Sequence, residues 1–240
     1  MPKSLSTYKP ETYLEAIRQA YKASLWHTCV NLLGYKDLEP DTHLPIIKIL
    51  ESPIRRKLIC IPRGTFKSSI VSVAYPIWRL MNNPNLRILL DSELYTNSKN
   101  FLREITQHLE SDRFNTRFGN WKSETWNQSE IIVKPRNKII KEASITAGGI
   151  GTTKVGQHFD LIIGDDYNSP QNSQTADGRR AVVDHYQYNR SILEVNGEYC
   201  IVGTRYSEDD IIGHIIRNEL KFDNEQKLMQ LKDTGGIRYV

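Results

Sequence analysis

The chain has 240 residues, of which 32 are lysine or arginine and 28 are aspartate or glutamate, so its net charge is +4. This length allows one sizeable hydrophobic core, and so small a positive surplus is compatible with a polyanionic partner without requiring one. The apolar runs fall far short of the ~20 residues that cross a bilayer, so we expect no membrane association. No apolar stretch follows the polar N-terminus, which predicts no secretory signal and a cytoplasmic location.

The three cysteines indicate neither a disulfide framework nor a zinc site. Cys29, Cys60 and Cys200 are odd in number, far apart and outside any CxxC pattern. Spacings of that kind do not supply a set of bridges or of metal ligands. We expect all three to serve as small buried apolar residues.

The apolar pattern switches repeatedly between helical and strand periods along the chain. Strands separated mainly by helices predict an α/β fold whose largely parallel sheet is covered on both faces. In chain order the predicted elements are helix 11–33, helix 43–51, strand 57–61, a helix from 67 to 82–84 with a kink at Pro76, strand 86–90, helix 98–109, a hairpin within 126–145 that turns at 135–137, strand 159–164, helix 179–195, strand 199–203 and helix 209–218.

The most informative segment is 61–69, between a predicted strand and a predicted helix. A loop in that position directs backbone N–H groups and a helix N-terminus at one spot, which favours an anion. Lys67 adds a charge for β- and γ-phosphates, and the Ser68 hydroxyl is a ligand type for Mg²⁺. Ile61 and Phe66 stand where the GxxxxGK[ST] pattern has its glycines. A helix N-terminus with a surface lysine therefore remains an alternative for this segment.

Two carboxylates follow the strand at 159–164. Phosphoryl transfer uses one such group to hold Mg²⁺ and another to polarise the attacking water, roles that fit Asp165 and Asp166 respectively. Alone, the pair is also compatible with a loop cap or with a metal nuclease. Together with Lys67 after an earlier strand, it favours a nucleotide triphosphatase.

A third strand, at 199–203, also ends in polar residues. Thr204 and Arg205 follow it directly, where a γ-phosphate sensor would lie, because ligands bind at the carboxyl ends of such strands. A plain strand-to-helix turn is the alternative for this segment taken alone.

Four ordered motifs give the chain a resemblance to the N-terminal ATPase domain of the large terminase subunit of tailed bacteriophages. Segment 38–43 resembles the family's entry segment near the adenine, and 62–68 resembles its deviant P-loop, in which an arginine four residues before the lysine is typical. Segment 156–166 resembles the stretch into the second motif, and 203–206 with 209–210 resembles the coupling motif. The resemblance implies a P-loop NTPase of the ASCE type, with a mainly parallel sheet flanked by helices.

The resemblance also implies roles for particular residues. Lys67 and Arg63 would contact phosphates, Asp166 would be the catalytic carboxylate, and Ser68 and Asp165 would hold Mg²⁺. Thr204 and Arg205 would couple hydrolysis to movement. Two residues depart from the family, since Asp166 stands where many members have glutamate, and the basic residue offered to a neighbouring subunit is Lys154 rather than an arginine. The nucleotide-binding residues implied are Pro62, Arg63, Gly64, Thr65, Phe66, Lys67, Ser68, Ser69, Glu39 and His43.

At the level of the whole protein, the resemblance implies an ATPase motor that uses ATP and Mg²⁺ to translocate double-stranded DNA into a procapsid. Residues 1–56 would form a helical segment contributing to the nucleotide pocket, and 57–240 would form the ATPase core. The family's C-terminal nuclease domain is not expected in this chain, and neither is DNA cleavage. The implied partners are double-stranded DNA, the portal protein, the small terminase subunit and further copies in a ring, in the host cytoplasm.

Three alternatives remain open on the sequence. One is a DNA-binding or assembly module whose altered P-loop no longer hydrolyses ATP, suggested by Ile61 and Phe66. Another is a helicase-like P-loop ATPase. The third is a metal nuclease built on Asp165, Asp166 and Asp209.

Overall fold

The computed structural model describes residues 10–152, 154–223 and 228–231. Its α-helices are α1 Pro10–Ala23, α2 Leu25–His27, α3 Pro40–Glu51, α4 Tyr75–Asn82, α5 Tyr95–Glu110, α6 Asp112–Phe118, α7 Pro170–Gln174, α8 Ala176–Ser191 and α9 Ile211–Glu219, with π-helical segments at Thr28–Leu33 and Ser69–Ala74. Its strands are β1 Arg56–Cys60, β2 Ile88–Ser92, β3 Lys122–Trp126, β4 Glu130–Val133, β5 Ile145–Ala147, β6 Phe159–Asp165, β7 Leu193–Gly203, β8 Leu220–Asp223 and β9 Leu228–Leu231.

Seven of these strands form one sheet in the order β1-β7-β6-β2-β5-β4-β3. The first five run parallel to one another, and β4 and β3 continue the sheet antiparallel. Parallel neighbours require crossover connections, which the helices provide. The prediction of an α/β fold with a mainly parallel sheet is therefore confirmed. β8 and β9 form a separate antiparallel pair, which the sequence does not predict.

Two hydrophobic cores cover the two faces of the sheet. Alternate residues of β6 face opposite cores, with Leu161 and Ile163 in one and Ile162 in the other. The larger core contains residues of α1 to α6, and the smaller one contains residues of α8 and α9. Burial on both faces explains why these strands read as continuous apolar runs. Two of the cysteines, Cys29 and Cys200, are buried and Cys60 is partly buried, and all three are free thiols.

Two predicted helices differ from the structure. The predicted helix 11–33 breaks at Ser24, which has an extended backbone and whose side chain accepts a hydrogen bond from the His27 N–H. Serine favours such a cap over a helix interior because its hydroxyl bonds nearby backbone groups. The predicted helix 179–195 ends at Ser191 instead, because Leu193 pairs with Phe159 of β6 and the pairing resumes at Glu198 after an irregular stretch. Pairing within a central strand outweighs local helix preference there.

Two other predicted features concern Pro76 and the segment 126–145. The helix after Lys67 continues past Pro76: its π-helical segment ends at Ala74, α4 begins at Tyr75, and the proline lies in the first turn of α4, where its missing N–H is tolerated. The kink at Pro76 stays a prediction. β4 and β5 form the predicted hairpin around 135–137, while β3 adds a second hairpin that the sequence does not predict. In the part of the chain that the structure describes, no helix is long and apolar enough to cross a bilayer.

Candidate active site

Three strand ends meet at the carboxyl edge of the sheet. Cys60 of β1 pairs with Gly203 of β7, and Asp165 of β6 pairs with Val202 of β7. The segments that follow these three strands therefore start side by side. Ligands of open α/β sheets bind at such an edge, and all three segments stand out by their sequence.

The loop after β1 contains two left-handed residues before the next helix begins. Gly64 has a φ of 81° and Phe66 a φ of 53°, and the Thr65 hydroxyl donates to the Pro62 carbonyl at 2.8 Å. A left-handed backbone costs a residue with a side chain about 1–2 kcal/mol, whereas glycine adopts it freely. Phe66 thus takes the backbone conformation that a glycine would take at this position.

The Phe66 side chain lies against the segment that precedes the sheet. Its ring centroid is 5.9 Å from that of His43, with the planes 73° apart. The backbone N–H of Glu39 donates to His43 Nδ1 at 2.8 Å, and His43 Nε2 has no partner among the described residues. The structure therefore places His43 beside the loop, and Glu39 holds it through the backbone.

Lys67 joins the three strand ends. The residue is 6% exposed, and its Nζ donates to Asp166 Oδ1 at 2.5 Å and to Thr204 Oγ1 at 3.2 Å. A buried ammonium needs such partners because it has lost its hydration. The loop after β1, the end of β6 and the end of β7 are thus linked through one side chain.

Asp165 is the most deeply buried carboxylate of this group. It is 1% exposed, and Ser72 Oγ donates to its Oδ2 at 2.5 Å. Burial raises the pKa of Asp165 to about 6, the hydrogen bond from Ser72 opposes the rise, and the charge of the neighbouring Asp166 adds to it. Its other oxygen, Oδ1, has no hydrogen-bond partner in the described part of the chain.

The oxygen atoms of Asp165 and Ser68 fit a magnesium ion. Mg²⁺ prefers oxygen ligands and is usually bound through one or two protein oxygens together with substrate phosphates and waters. The unpartnered Oδ1 of Asp165 and the Ser68 hydroxyl beside it supply oxygens of this kind. A bound cation would also offset the burial that raises the pKa of this carboxyl.

Asp166 follows in a strained conformation. Its φ is 46°, and its backbone N–H donates to the Val202 carbonyl at 2.9 Å. Its side chain is 32% exposed, in contrast to the 7% of its partner Lys67. Of the two adjacent carboxylates, Asp165 is therefore held inside the protein, and Asp166 extends towards the open side.

The segment after β7 is fixed by a buried acid. Asp210 is 1% exposed and accepts hydrogen bonds from the backbone N–H groups of Tyr206, Ser207 and Gly213. The Tyr206 ring then lies 5.6 Å from the Arg63 guanidinium, a distance typical of a cation–π contact. The loops after β1 and β7 are thus connected a second time.

A pocket of about 280 Å³ opens at this junction. Its walls combine two cationic side chains, two hydroxyls, one carboxylate, one glycine and one aromatic ring, a composition suited to an anionic ligand. The residues that line it are Arg63, Gly64, Phe66, Lys67, Ser68, Ser69 and Asp166.

Some of the residues predicted from sequence lie outside this pocket. Arg205 Nε donates to the Ser207 carbonyl within its own loop at 3.3 Å. The Lys154 backbone N–H donates to Tyr188 OH on α8 at 2.7 Å. Asp209 pairs with Arg217 at 2.9 Å, and among the described residues no group of three or more histidines, cysteines and acids is placed to hold a metal. The nuclease alternative therefore finds no ligand cluster in the described residues.

The sequence analysis does not predict two contacts of the site. Ser72 bonds Asp165 from one turn beyond Ser68, so the i+4 spacing on one predicted helix was an available signal. Tyr206 stacks on Arg63 across two loops, and no local pattern indicates a contact of that range.

Comparison with known proteins agrees with this architecture. No family model matches the sequence, and no curated protein matches it. Among solved structures, the ATPase domain of the large terminase of Thermus phage P74-26 superposes with a TM-score of 0.51 at 15% identity, over 88% of this chain and 83% of that one. A mutant of the same domain gives a TM-score of 0.53 at 15% identity, over 88% of this chain and 84% of that one.

A second kind of protein shares the fold. Dbp5 of S. cerevisiae, solved with ADP, superposes with a TM-score of 0.50 at 12% identity, over 80% of this chain and 48% of that one. Identities this low establish the fold alone. The chain therefore shares the fold of these proteins, and its resemblance to a large-terminase ATPase domain is confirmed at the level of the fold.

Proposed function

We propose that this chain is the ATPase motor domain of a phage large terminase subunit, which hydrolyses ATP to move double-stranded DNA into a procapsid. The observation that carries the proposal is the junction at Lys67, where its Nζ contacts Asp166 and Thr204 beside the unpartnered buried oxygen of Asp165. A triphosphatase needs a cation for the phosphates, a metal-holding carboxylate and a second carboxylate facing the attacking water. Lys67 and Asp166 line the pocket, and the buried Asp165 precedes Asp166 directly in the chain, so the junction has candidates for all three roles.

Phosphate binding would begin at the loop after β1. The γ-phosphate oxygens would compete with Asp166 for Lys67 Nζ, and Arg63 would contribute a second cation from the pocket wall. Ser68 and Asp165 would hold Mg²⁺, which neutralises the charge that develops on the phosphates. Residues 1–56 would contribute His43, and Glu39 through its backbone, near the base.

Hydrolysis would then depend on the carboxylate that Lys67 releases. Asp166 Oδ1 would orient a water for in-line attack on the γ-phosphorus and accept its proton, as ADP leaves with the bridging oxygen. Thr204, which bonds Lys67 at 3.2 Å, would sense the loss of the γ-phosphate at the end of β7. Arg205, in the exposed loop beyond, would pass the change on to DNA.

In an assembled ring, Lys154 would act in the active site of a neighbouring subunit. A residue that acts in a neighbour's site has to lie outside its own pocket, as Lys154 does. A lysine offers charge there without the bidentate geometry of arginine. The further partners we propose are the portal protein and the small terminase subunit, with assembly in the host cytoplasm.

One observation weakens the alternative of a module that does not hydrolyse ATP. That alternative rests on side chains at the glycine positions of the P-loop, but Phe66 adopts the left-handed backbone of a glycine. The helicase-like ATPase is supported by the shared fold with Dbp5. A triplex-displacement assay distinguishes a packaging translocase from a helicase. A translocase strips a third strand from duplex DNA without unwinding the duplex, whereas a helicase releases single strands.

The motor proposal predicts ATP-dependent stripping of the third strand, which is lost in Lys67→Ala. ATP turnover without any displacement, tested with portal and small subunit present, would contradict it. Release of single strands would favour the helicase-like alternative.

A further inference from the structure

A buried polar cluster lies behind the site, on the face of the sheet that α8 covers. Its centre is Asp91 of β2, which is 2% exposed. Asp91 Oδ2 accepts hydrogen bonds from Tyr167 OH at 2.8 Å, His185 Nε2 at 2.6 Å and Asn189 Nδ2 at 2.5 Å. The Tyr199 hydroxyl of β7 lies 3.0 Å from Tyr167 OH. None of these residues lines the 280 Å³ pocket of the candidate active site, so the cluster would act on that pocket only through a connecting residue.

Tyr167 connects the cluster to the site because it is the next residue after Asp166. Tyr167 is 2% exposed, and its hydroxyl is held among the buried partners of the cluster. At the other end of the residue, Asn172 Nδ2 donates to the Tyr167 carbonyl at 2.8 Å. Tyr167 is thus anchored through both its side chain and its backbone.

The ring of Tyr167 folds back under the strand that precedes it. A Cβ placed on Gly164 would lie 2.4 Å from Tyr167 Cε2, so only glycine leaves room for the ring there. The chain has to reverse within two residues to reach this position. Asp166 lies at that reversal with a φ of 46°, a conformation that a residue with a side chain keeps only when its surroundings enforce it.

We propose that Tyr167 is a positioning residue for Asp166, and that its hydrogen bond to Asp91 fixes the direction of the Asp166 carboxylate. The role in turnover rests on the proposed function, whereas the effect on the backbone does not. A small displacement of a catalytic group lowers the rate far more than it lowers substrate affinity. The bond to Asp91 therefore acts on kcat and leaves nucleotide binding, which Lys67 and Arg63 dominate, nearly unchanged.

The test compares Tyr167→Phe with Tyr199→Phe. Both variants remove one buried hydroxyl from the same cluster, but only the first removes the bond that holds residue 167 to Asp91. We expect kcat for ATP to fall about tenfold in Tyr167→Phe, with the nucleotide Kd within about twofold of wild type. In Tyr199→Phe we expect kcat within about twofold of wild type, even if its urea midpoint falls as far as that of Tyr167→Phe.

Hydrogen exchange supplies a readout that does not need ATP. The Asp166 N–H, bonded to the Val202 carbonyl, should exchange about tenfold faster in Tyr167→Phe after correction for global stability, and unchanged in Tyr199→Phe. Equal effects of the two variants on exchange and kcat would overturn the proposal. Wild-type protein that fails to hydrolyse ATP would refute the proposed function, while the exchange comparison would still decide whether Tyr167 holds Asp166.

Discussion

Replacing Asp165 with asparagine is expected to stabilise the protein at neutral pH while abolishing the proposed Mg²⁺-dependent ATP hydrolysis. The carboxylate is 1% exposed, and its Oδ1 has no partner among the residues that the structure describes. Because burial raises its pKa to about 6, the folded protein carries a buried negative charge at every pH above that value. Asparagine keeps the shape and an acceptor for Ser72 Oγ without the charge.

The expected change in the free energy of unfolding follows from the pKa of the Asp165 carboxyl. A rise from 3.8 to about 6 on folding costs roughly 3 kcal/mol once the group is ionised, at about 1.4 kcal/mol for each pKa unit. The new amide brings an unpartnered buried N–H that costs about 1 kcal/mol. The variant is therefore expected to gain about 2 kcal/mol at pH 7.5.

The dependence on pH has a definite sign. The folded protein holds the Asp165 proton more tightly than the unfolded chain, so the wild type is most stable below about pH 4 with respect to this group. Its free energy of unfolding falls as the pH rises from about 4 to 6 and is level above that range. Asparagine does not titrate, so the variant lacks this fall and is the less stable protein near pH 4.

Urea unfolding of both proteins between pH 4 and 7.5 measures these differences. Asp166→Asn is the matched control. It removes the charge of the carboxylate that accepts a hydrogen bond from Lys67 Nζ, and it should lower the free energy of unfolding by about 1 kcal/mol. If Asp165→Asn is less stable than wild type at pH 7.5, the buried charge of Asp165 does not destabilise the fold. A stability difference that does not change with pH would lead to the same conclusion.

Three further predictions concern Phe66, Tyr206 and Lys154. Phe66→Gly should keep ATP turnover within about threefold of wild type, because glycine adopts the left-handed backbone without strain; a loss of more than tenfold in a phosphate-release assay would contradict this. Tyr206→Ala should weaken ATP binding about threefold by releasing the Arg63 guanidinium, whereas Tyr206→Phe, which keeps the ring face, should bind as wild type in titration calorimetry. Lys154→Ala should lower the turnover of assembled rings about tenfold without changing the Kd for ATP, with Lys138→Ala as the control; an equal loss of affinity would instead assign Lys154 to its own subunit's pocket.

The sequence predicts most of the fold and the segments that form the site. Buried parallel strands read as apolar runs, and residues after the carboxyl ends of neighbouring strands have to converge. Lys67, Asp165, Asp166 and Thr204 can therefore be grouped from their positions in the sequence alone. The junction that Lys67 makes with Asp166 and Thr204 follows from that topology.

What the sequence does not predict depends on contacts between distant segments. The bond from Tyr167 to Asp91 spans 76 positions, and the contact of Arg63 with Tyr206 crosses two loops. Neither has a periodic or motif signal. The end of α8 at Ser191 was also missed, because pairing between β7 and β6 decides it rather than local preference.

Lys67, Asp165 and Asp166 are proposed to form a working ATPase site. Mg²⁺-dependent ATP binding and phosphate release, measured for wild type beside Lys67→Ala and Asp166→Ala, are the decisive measurements. We expect the wild type to bind and hydrolyse ATP, Lys67→Ala to lose binding, and Asp166→Ala to bind ATP without turning it over. Wild-type protein that neither binds nor hydrolyses ATP, or an Asp166→Ala variant with undiminished turnover, would contradict the account.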